Sequence, residues 1–70
     1  MTTTTLKVTG MTCGHCVRAV TQALESVDGV RQAKVDLGAG RATVEYDEHR
    51  TSPAVLVGVV TDEGYAAEEA

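Results

Sequence analysis

Two cysteines three positions apart are the residues of this sequence best suited to chemistry. Cys13 and Cys16 lie in the segment Met11-Thr12-Cys13-Gly14-His15-Cys16. A thiolate is both a nucleophile and a soft metal ligand, so the pair predicts either metal binding or thiol–disulfide exchange. His15 adds an imidazole and Met11 a thioether as candidate additional ligands, although a Met at such a position is more typical of a core side chain under the loop.

The patterning around the cysteines predicts a strand, a loop and a helix. Leu6 and Val8 alternate with polar residues, as in a half-buried strand. From Cys16 onward, apolar residues recur on one helical face: Val17, Val20, Leu24 and Val27. We therefore expect Cys16 in the first helical turn and Cys13 in the loop before it. Free N–H groups and the dipole at a helix N-terminus favour thiolate there and lower the thiol pKa values.

The rest of the chain predicts three further strands and a second helix. The first helix is expected to stop at Asp28-Gly29, and two alternating segments, 30–37 and 41–46, flank a short turn as in a hairpin. Ser52-Pro53 predicts the start of the second helix, and residues 65–67 a short last strand. The hairpin residues expected to face inward are Ala33, Val35, Leu37, Ala42, Val44 and Tyr46.

This order of elements is typical of a split β-α-β, ferredoxin-like sandwich. We expect an α+β fold with the order βαββαβ, an antiparallel four-stranded sheet and both helices on one face. With 70 residues the chain should form a single domain, residues 1–70, in which residues 1–4 are flexible.

The composition excludes several classes of function. A chain of this length buries only about 60% of its unfolded surface, which leaves little room for an enclosed active site and argues against an enzyme. The net charge of −4 argues against nucleic acid as a partner. No apolar run of signal-peptide or membrane-span length is visible, so we expect no membrane insertion and a cytoplasmic location, where thiols stay reduced.

The donor set favours Cu(I) over Zn(II). Zinc takes four protein ligands in structural sites and three plus water in catalytic sites. This chain offers two thiols and at most one nearby imidazole. Soft thiolates select Cu(I), which accepts two ligands in a near-linear arrangement.

The same motif carries a family resemblance. The segment 10–16, together with Gly29-Val30 and Gly64-Tyr65, resembles the heavy-metal-associated (HMA) domain family, most closely its free-standing bacterial copper chaperones, over residues 6–67. The resemblance implies a ferredoxin-like fold, Cu(I) at Cys13 and Cys16, and delivery to the metal-binding domain of a copper-transporting P-type ATPase. It also implies that Tyr65 lies beside the loop that carries Cys13 and Cys16, where it could support the metal site or join a cluster, as could His15 and Met11. A hydrophobic contact that closes the second helix is the alternative role of Tyr65.

Several alternatives stay open at this stage. Cys-Gly-His-Cys is also the active-site tetrapeptide of protein disulfide isomerases, although Thr12 stands where those enzymes have an aromatic residue. The pair could serve another soft ion such as Hg(II), or Zn(II), or act as a metal buffer. A domain of a copper ATPase would look similar, but the start and the short polar end favour a stand-alone protein. Copper could also bridge a homodimer, in which His15 could join the shared cluster.

Overall fold

The strands and helices of the computed structural model, which describes all 70 residues, follow the predicted order. The elements are β1 (Thr2–Thr9), α1 (Gly14–Glu25), β2 (Val30–Asp36), β3 (Arg41–Tyr46), α2 (Pro53–Asp62) and β4 (Ala66–Glu69). This is the α+β, ferredoxin-like fold that the sequence predicts. Neither helix is long and apolar enough to cross a membrane.

The four strands form one antiparallel sheet in the order β2-β3-β1-β4. The strand β1 lies inside the sheet, so that Leu6 is opposite Ala42 on one side and Glu69 on the other. Near its end, Lys7 pairs with Arg41 at the start of β3, and Thr9 pairs with Ala66 at the start of β4. The end of β1, the β2–β3 hairpin and the start of β4 therefore lie at one end of the sheet.

One core lies between the sheet and the two helices. Its ten buried residues are Leu6, Val8, Val20, Leu24, Ala33, Ala42, Val44, Tyr46, Leu56 and Val60. Every strand residue of this set lies on the same face of the sheet, because strand side chains alternate between faces. Both helices contribute to this core, which confirms that they cover one face and leave the other face open.

The start of the chain differs from the prediction of loose residues 1–4. The strand β1 begins at Thr2, and Thr2–Thr4 pair with residues 44–46 of β3. Thr2 Oγ1 also donates a hydrogen bond of 2.6 Å to Glu48. The physical reason is that β-branched threonines suit an extended backbone when a partner strand offers free hydrogen-bonding groups beside it.

The boundaries of three other segments also differ. The helix α1 ends at Glu25 rather than at Asp28, and the following turn is tight: Gly29 has φ +98°, and a Cβ there would lie 2.6 Å from Cβ of Arg50. Leu37, predicted to face inward, is 39% exposed because β2 ends one residue before it. The last strand, β4, spans Ala66–Glu69, so it begins one residue later and ends two residues later than the predicted segment 65–67.

Candidate metal site

The loop between β1 and α1 carries the two cysteines in the predicted places. Gly10 follows the last residue of β1. Its φ of +103°, a value that favours glycine, turns the chain toward the helix. Met11 is half-buried and packs against the core under the loop. Cys13 is the N-cap of α1, with extended backbone at φ −157° and ψ 173°, and Cys16 lies in the first turn.

The two sulfur atoms converge. Cys13 Sγ and Cys16 Sγ are 3.6 Å apart, and both thiols are free. The N–H groups of Cys16 and Val17 donate to the Cys13 carbonyl at 3.1 and 3.3 Å, which fixes the helical turn that brings the thiols together. Cys13 is exposed and Cys16 is half-buried. The pair can therefore bind one soft ion from the protein side while solvent reaches the other side.

The surroundings of Cys16 favour its thiolate. Hydrogen bonds from the backbone N–H of Thr12, from the Tyr65 hydroxyl and from the Cys13 thiol lower the pKa of Cys16 from 9.0 to about 6, against a smaller opposing effect of burial. The Thr12 N–H is the largest of these causes, followed by the Tyr65 hydroxyl. Sequence reasoning gave Thr12 no part in the site, because a backbone donor leaves no trace in residue type.

Tyr65 lies beside the metal loop. Its hydrogen bond to Cys16 is the main reason that the pKa of Tyr65 is raised, with burial and the negative charge of the thiolates adding to it. A Cβ at Gly10 would lie 3.5 Å from Cδ1 of Tyr65, so the ring rests against the end of β1. The sequence signal for this contact was the pair Gly64-Tyr65, and it came through the family resemblance rather than through periodicity.

The other candidate residues are less closely placed. His15 is exposed, and its side chain forms no hydrogen bond with either thiol. His49, predicted to be solvated, is 86% exposed and lies 3.9 Å from Glu48 in the loop after β3. No third His, Cys, Asp or Glu joins the two cysteines in a metal-binding group. The site is thus a pair of sulfurs. Around Cys16 lie the N–H of Thr12, the Tyr65 hydroxyl and the Thr12 hydroxyl, whose Oγ1 is 3.9 Å from Cys16 Sγ.

Comparison with known proteins places this geometry in a family. The family model "Heavy-metal-associated domain" matches residues 5–66. The copper chaperone CopZ of Staphylococcus aureus is 42% identical over 86% of this chain and 88% of its own length. A copper-binding domain from HMA7, a P-type ATPase, superimposes with a TM-score of 0.99 at 36% identity, covering 100% of this chain and 95% of that one. The CopZ metallochaperone gives a TM-score of 0.93 at 37% identity, covering 96% and 100%.

A ferredoxin-like sandwich with a Cys-x-x-Cys loop before its first helix is the class of protein that this fold and site define. The chain belongs to the heavy-metal-associated domain family. Its relatives include bacterial proteins named as copper chaperones.

Proposed function

We propose that the protein is a cytoplasmic metallochaperone, not an enzyme, that binds Cu(I) through Cys13 and Cys16 and passes it to a partner. The observation that carries the proposal is the 3.6 Å separation of the two sulfurs on an exposed loop. The ion is cargo: the thiolate pair holds it and then releases it, unchanged, to the partner. The lowered pKa of Cys16 supports the proposal, because a thiolate, not a thiol, is the ligand.

The donor set supports Cu(I) as the cargo. Two soft sulfurs are what Cu(I) needs, and relatives at 36–42% identity are named for copper. A zinc site of the usual kind would need one or two more donors from another molecule. Hg(II), which also binds soft sulfur, is the closer competitor. Competition against a Cu(I) chelator, with Zn(II) and Hg(II) titrated in parallel, separates these ions.

The residues around the pair have supporting roles in this proposal. The Tyr65 hydroxyl helps to lower the pKa of Cys16, second to the Thr12 N–H, and so favours the thiolate. Met11 packs under the loop and keeps its shape, and its burial against the core supports that role over a role as ligand. His15 faces solvent and is available to a cluster shared with another molecule.

The partner in this proposal is the metal-binding domain of a copper-transporting P-type ATPase. The support is that such a domain, from HMA7, has nearly the same fold as this chain. Two similar loops can face each other, so that an incoming thiolate adds to the ion before either original sulfur leaves. The copper then passes through a three-coordinate state and is never released as a free ion. The exposed position of Cys13 makes this exchange feasible.

The test is copper transfer under anaerobic, reducing conditions. The Cu(I)-loaded protein is mixed with the apo metal-binding domain of the copper ATPase encoded in the same genome. Copper should move to that domain faster than it dissociates into a chelator. If transfer is no faster than spontaneous release, the protein is a copper buffer and the transfer part of the proposal is wrong.

A thiol–disulfide oxidoreductase is the second candidate, and the short Sγ–Sγ distance with a lowered pKa at Cys16 is the observation that favours it. Membership of a metal-binding family argues for copper instead. Insulin reduction by the protein at a rate far above that of free dithiol would favour the redox function.

A further inference from the structure

The outward face of α2 is apolar. No residue of this helix before Asp62 carries a charge. Leu56 is fully buried, and Ala54 and Gly58 are each two residues away from it, about 200° round the helix, so both lie on the outward side. Val55, beside Ala54, is 48% exposed. We call Ala54, Val55 and Gly58 the α2 surface. A helix that is apolar on all sides is expected to be covered on all sides, yet the α2 surface is open.

The outward face of α1 gives the comparison. Arg18, Gln22 and Glu25 are exposed there, in keeping with a helix that is covered on one side only. Both helices pack on the same core, so solvent reaches the outward side of each. The apolar character of the α2 surface is therefore a property of the α2 sequence that the core does not require.

Gly58 weakens α2 without serving the fold. Glycine is the poorest helix former after proline. A Cβ at Gly58 would meet no neighbouring atom within 4 Å, and Gly58 is not one of the glycines with a positive φ. Neither space nor backbone conformation therefore requires a glycine at this position. A position without a side chain does let a second backbone approach closely.

The charges at the two ends of α2 are also unfavourable for the helix alone. Asp62 and Glu63 lie at its C-terminal end, where the helix dipole is negative, and neither forms an ion pair. At its N-terminal end, Ser52 makes no side-chain cap bond and the first turn holds no acidic residue. The Ala54 N–H there donates to no backbone carbonyl. The helix thus has anions at its negative end and none at its positive end.

We propose that the α2 surface docks antiparallel against the α2 surface of a second copy, with the two Gly58 residues at the crossing point. Ala54 lies four residues before Gly58 and Asp62 four residues after it. A twofold axis at the crossing therefore brings Asp62 of each copy to the first turn of the other helix, where the dipole is positive and the Ala54 N–H is free. The same complementary contact forms twice in one dimer.

This contact leaves the metal loops of both copies open. The metal loop lies at the C-terminal end of α2, because Tyr65 follows that end and its hydroxyl is bonded to Cys16. Antiparallel helices place the two loops at opposite ends of the dimer. The dimer therefore forms without copper and differs from a pair of chains bridged by a shared ion. The inference goes beyond the proposed function and does not depend on it.

The size of the contact predicts a weak dimer. A helix of 10 residues is about 15 Å long, so the buried area falls at the low end of specific interfaces. We expect the apo protein to self-associate with a dissociation constant below about 1 mM. The two copies should exchange rapidly, and the charged contacts at the helix ends should make the constant rise with salt.

The first test is Gly58→Gln, which should move the stability of the fold and of the dimer in opposite directions. Glutamine is a better helix former than glycine, so the thermal midpoint of the monomer should rise. The new side chain holds the two helices apart, so the dissociation constant of the dimer should rise at least about tenfold. The matched control is Gln22→Ala on the outward side of α1, which should leave the dimer unchanged.

The second test is Asp62→Asn with Glu63→Gln. Removing two negative charges from the C-terminal end of α2 should raise the thermal midpoint of the monomer. It should also raise the dissociation constant about threefold and abolish most of its salt dependence. Because both variants are expected to be more stable than the parent, misfolding does not account for a loss of the dimer.

The measurements are sedimentation equilibrium and amide chemical shifts of the apo protein, reduced and free of metal, from micromolar to millimolar concentration. The shifts that change with concentration should cluster on the α2 surface and at Asp62.

Three results would overturn the proposal: an apo parent that stays monomeric at millimolar concentration, shifts that cluster away from α2, or a Gly58→Gln variant that dimerises like the parent. Binding of the monomer to vesicles of neutral lipid through α2, without self-association, would also overturn it and assign the surface to a membrane. A parent that dimerises but retains no Cu(I) against the chelator would overturn the proposed function and leave this proposal standing.

Discussion

The N-termini of the two helices have nearly the same backbone and carry different chemistry. Cys13 caps α1 and Ser52 caps α2, both with extended backbone, at φ −157° and −144°. In α1 the N-cap carbonyl accepts N–H groups three and four residues on at 3.1 and 3.3 Å, and in α2 at 3.1 and 3.2 Å. Neither helix has a side-chain cap bond or an acidic residue in its first turn.

The difference between them lies in what approaches from outside the helix. Cys16 and Val55 occupy equivalent positions, three residues after the N-cap, yet only Cys16 receives a backbone N–H from the preceding loop and a hydroxyl from the segment before β4. Val55 is 48% exposed. Both helix ends offer the same dipole. The comparison teaches that the site is made by three converging segments, of which the helix N-terminus is one.

The largest expected effect comes from making α1 resemble α2. Cys13→Ser or Cys16→Ser removes one of the two proposed ligands, and the loss in Cu(I) affinity should exceed the roughly 10–100-fold cost of removing an outer partner of a metal ligand. The fold should survive, because Cys13 is exposed and neither residue belongs to the buried core. Competition with a Cu(I) chelator measures the affinity. A single variant that holds copper as well as the parent would show that the ligands are elsewhere.

The reverse change makes α2 resemble α1. Ser52→Cys with Val55→Cys places a second Cys-x-x-Cys pair at an equivalent helix start, in exposed positions. The grafted pair, tested in a background with Cys13→Ser and Cys16→Ser, should bind Cu(I) about 10–100-fold more weakly than the native pair, because it has no counterpart of the Thr12 and Tyr65 hydrogen bonds. Equal affinity would mean that the helix N-terminus alone is enough.

The pH dependence of the apo protein should report the state of Cys16. Its pKa is about 6 in the fold against 9.0 ordinarily, so the folded state loses the proton first. The Cys16 thiolate therefore stabilises the folded state fully above pH 9, and this stabilisation is lost as the pH falls toward 6. The free energy of unfolding should rise between pH 6 and 9. Urea unfolding across this range, compared with Cys16→Ser, measures the effect. Thiol alkylation of Cys13→Ser should show a midpoint that is raised by the loss of the Cys13 thiol but stays below 9, because the Thr12 and Tyr65 donors remain. A midpoint near 9 would contradict the hydrogen-bonding geometry.

The smallest expected effect comes from the residues next to the ligands. Tyr65→Phe removes one donor to Cys16 while keeping the ring against Gly10, and the alkylation midpoint should rise by less than the full shift because the Thr12 N–H remains. His15→Ala is the matched control: it copies Ala54 of α2, lies on the same loop and should leave the midpoint unchanged. A larger shift in His15→Ala than in Tyr65→Phe would reverse the roles given to these side chains.

Element order and the place of the cysteines could be predicted because both depend on local patterns. The apolar spacing of Val20 and Leu24 fixes the buried side of α1, and the alternation of Ala42, Val44 and Tyr46 fixes the inner face of β3. Thiol spacing and the predicted helix start together place Cys13 at the N-cap.

What could not be predicted depends on contacts between distant segments. Thr2 joins a strand because β3 lies beside it, and nothing near Thr2 in the sequence shows that neighbour. Leu37 looks like the next inward residue of an alternating run, but the strand stops at Asp36, where its side chain accepts a hydrogen bond from the Ala39 N–H in the turn. The Thr12 N–H lowers the pKa of Cys16 from within the loop that follows Gly10, and a backbone donor is not visible in residue type.

The position of β1 inside the sheet has a consequence for how the protein opens. Leu6 and Lys7 have paired strands on both sides, and the loop begins only three residues after Lys7. The backbone amides of this stretch should be among the slowest in the molecule to exchange with solvent deuterium, while those of the loop exchange freely. The metal ion can then enter and leave through local rearrangement of the loop, while β1 stays paired and the chain stays folded.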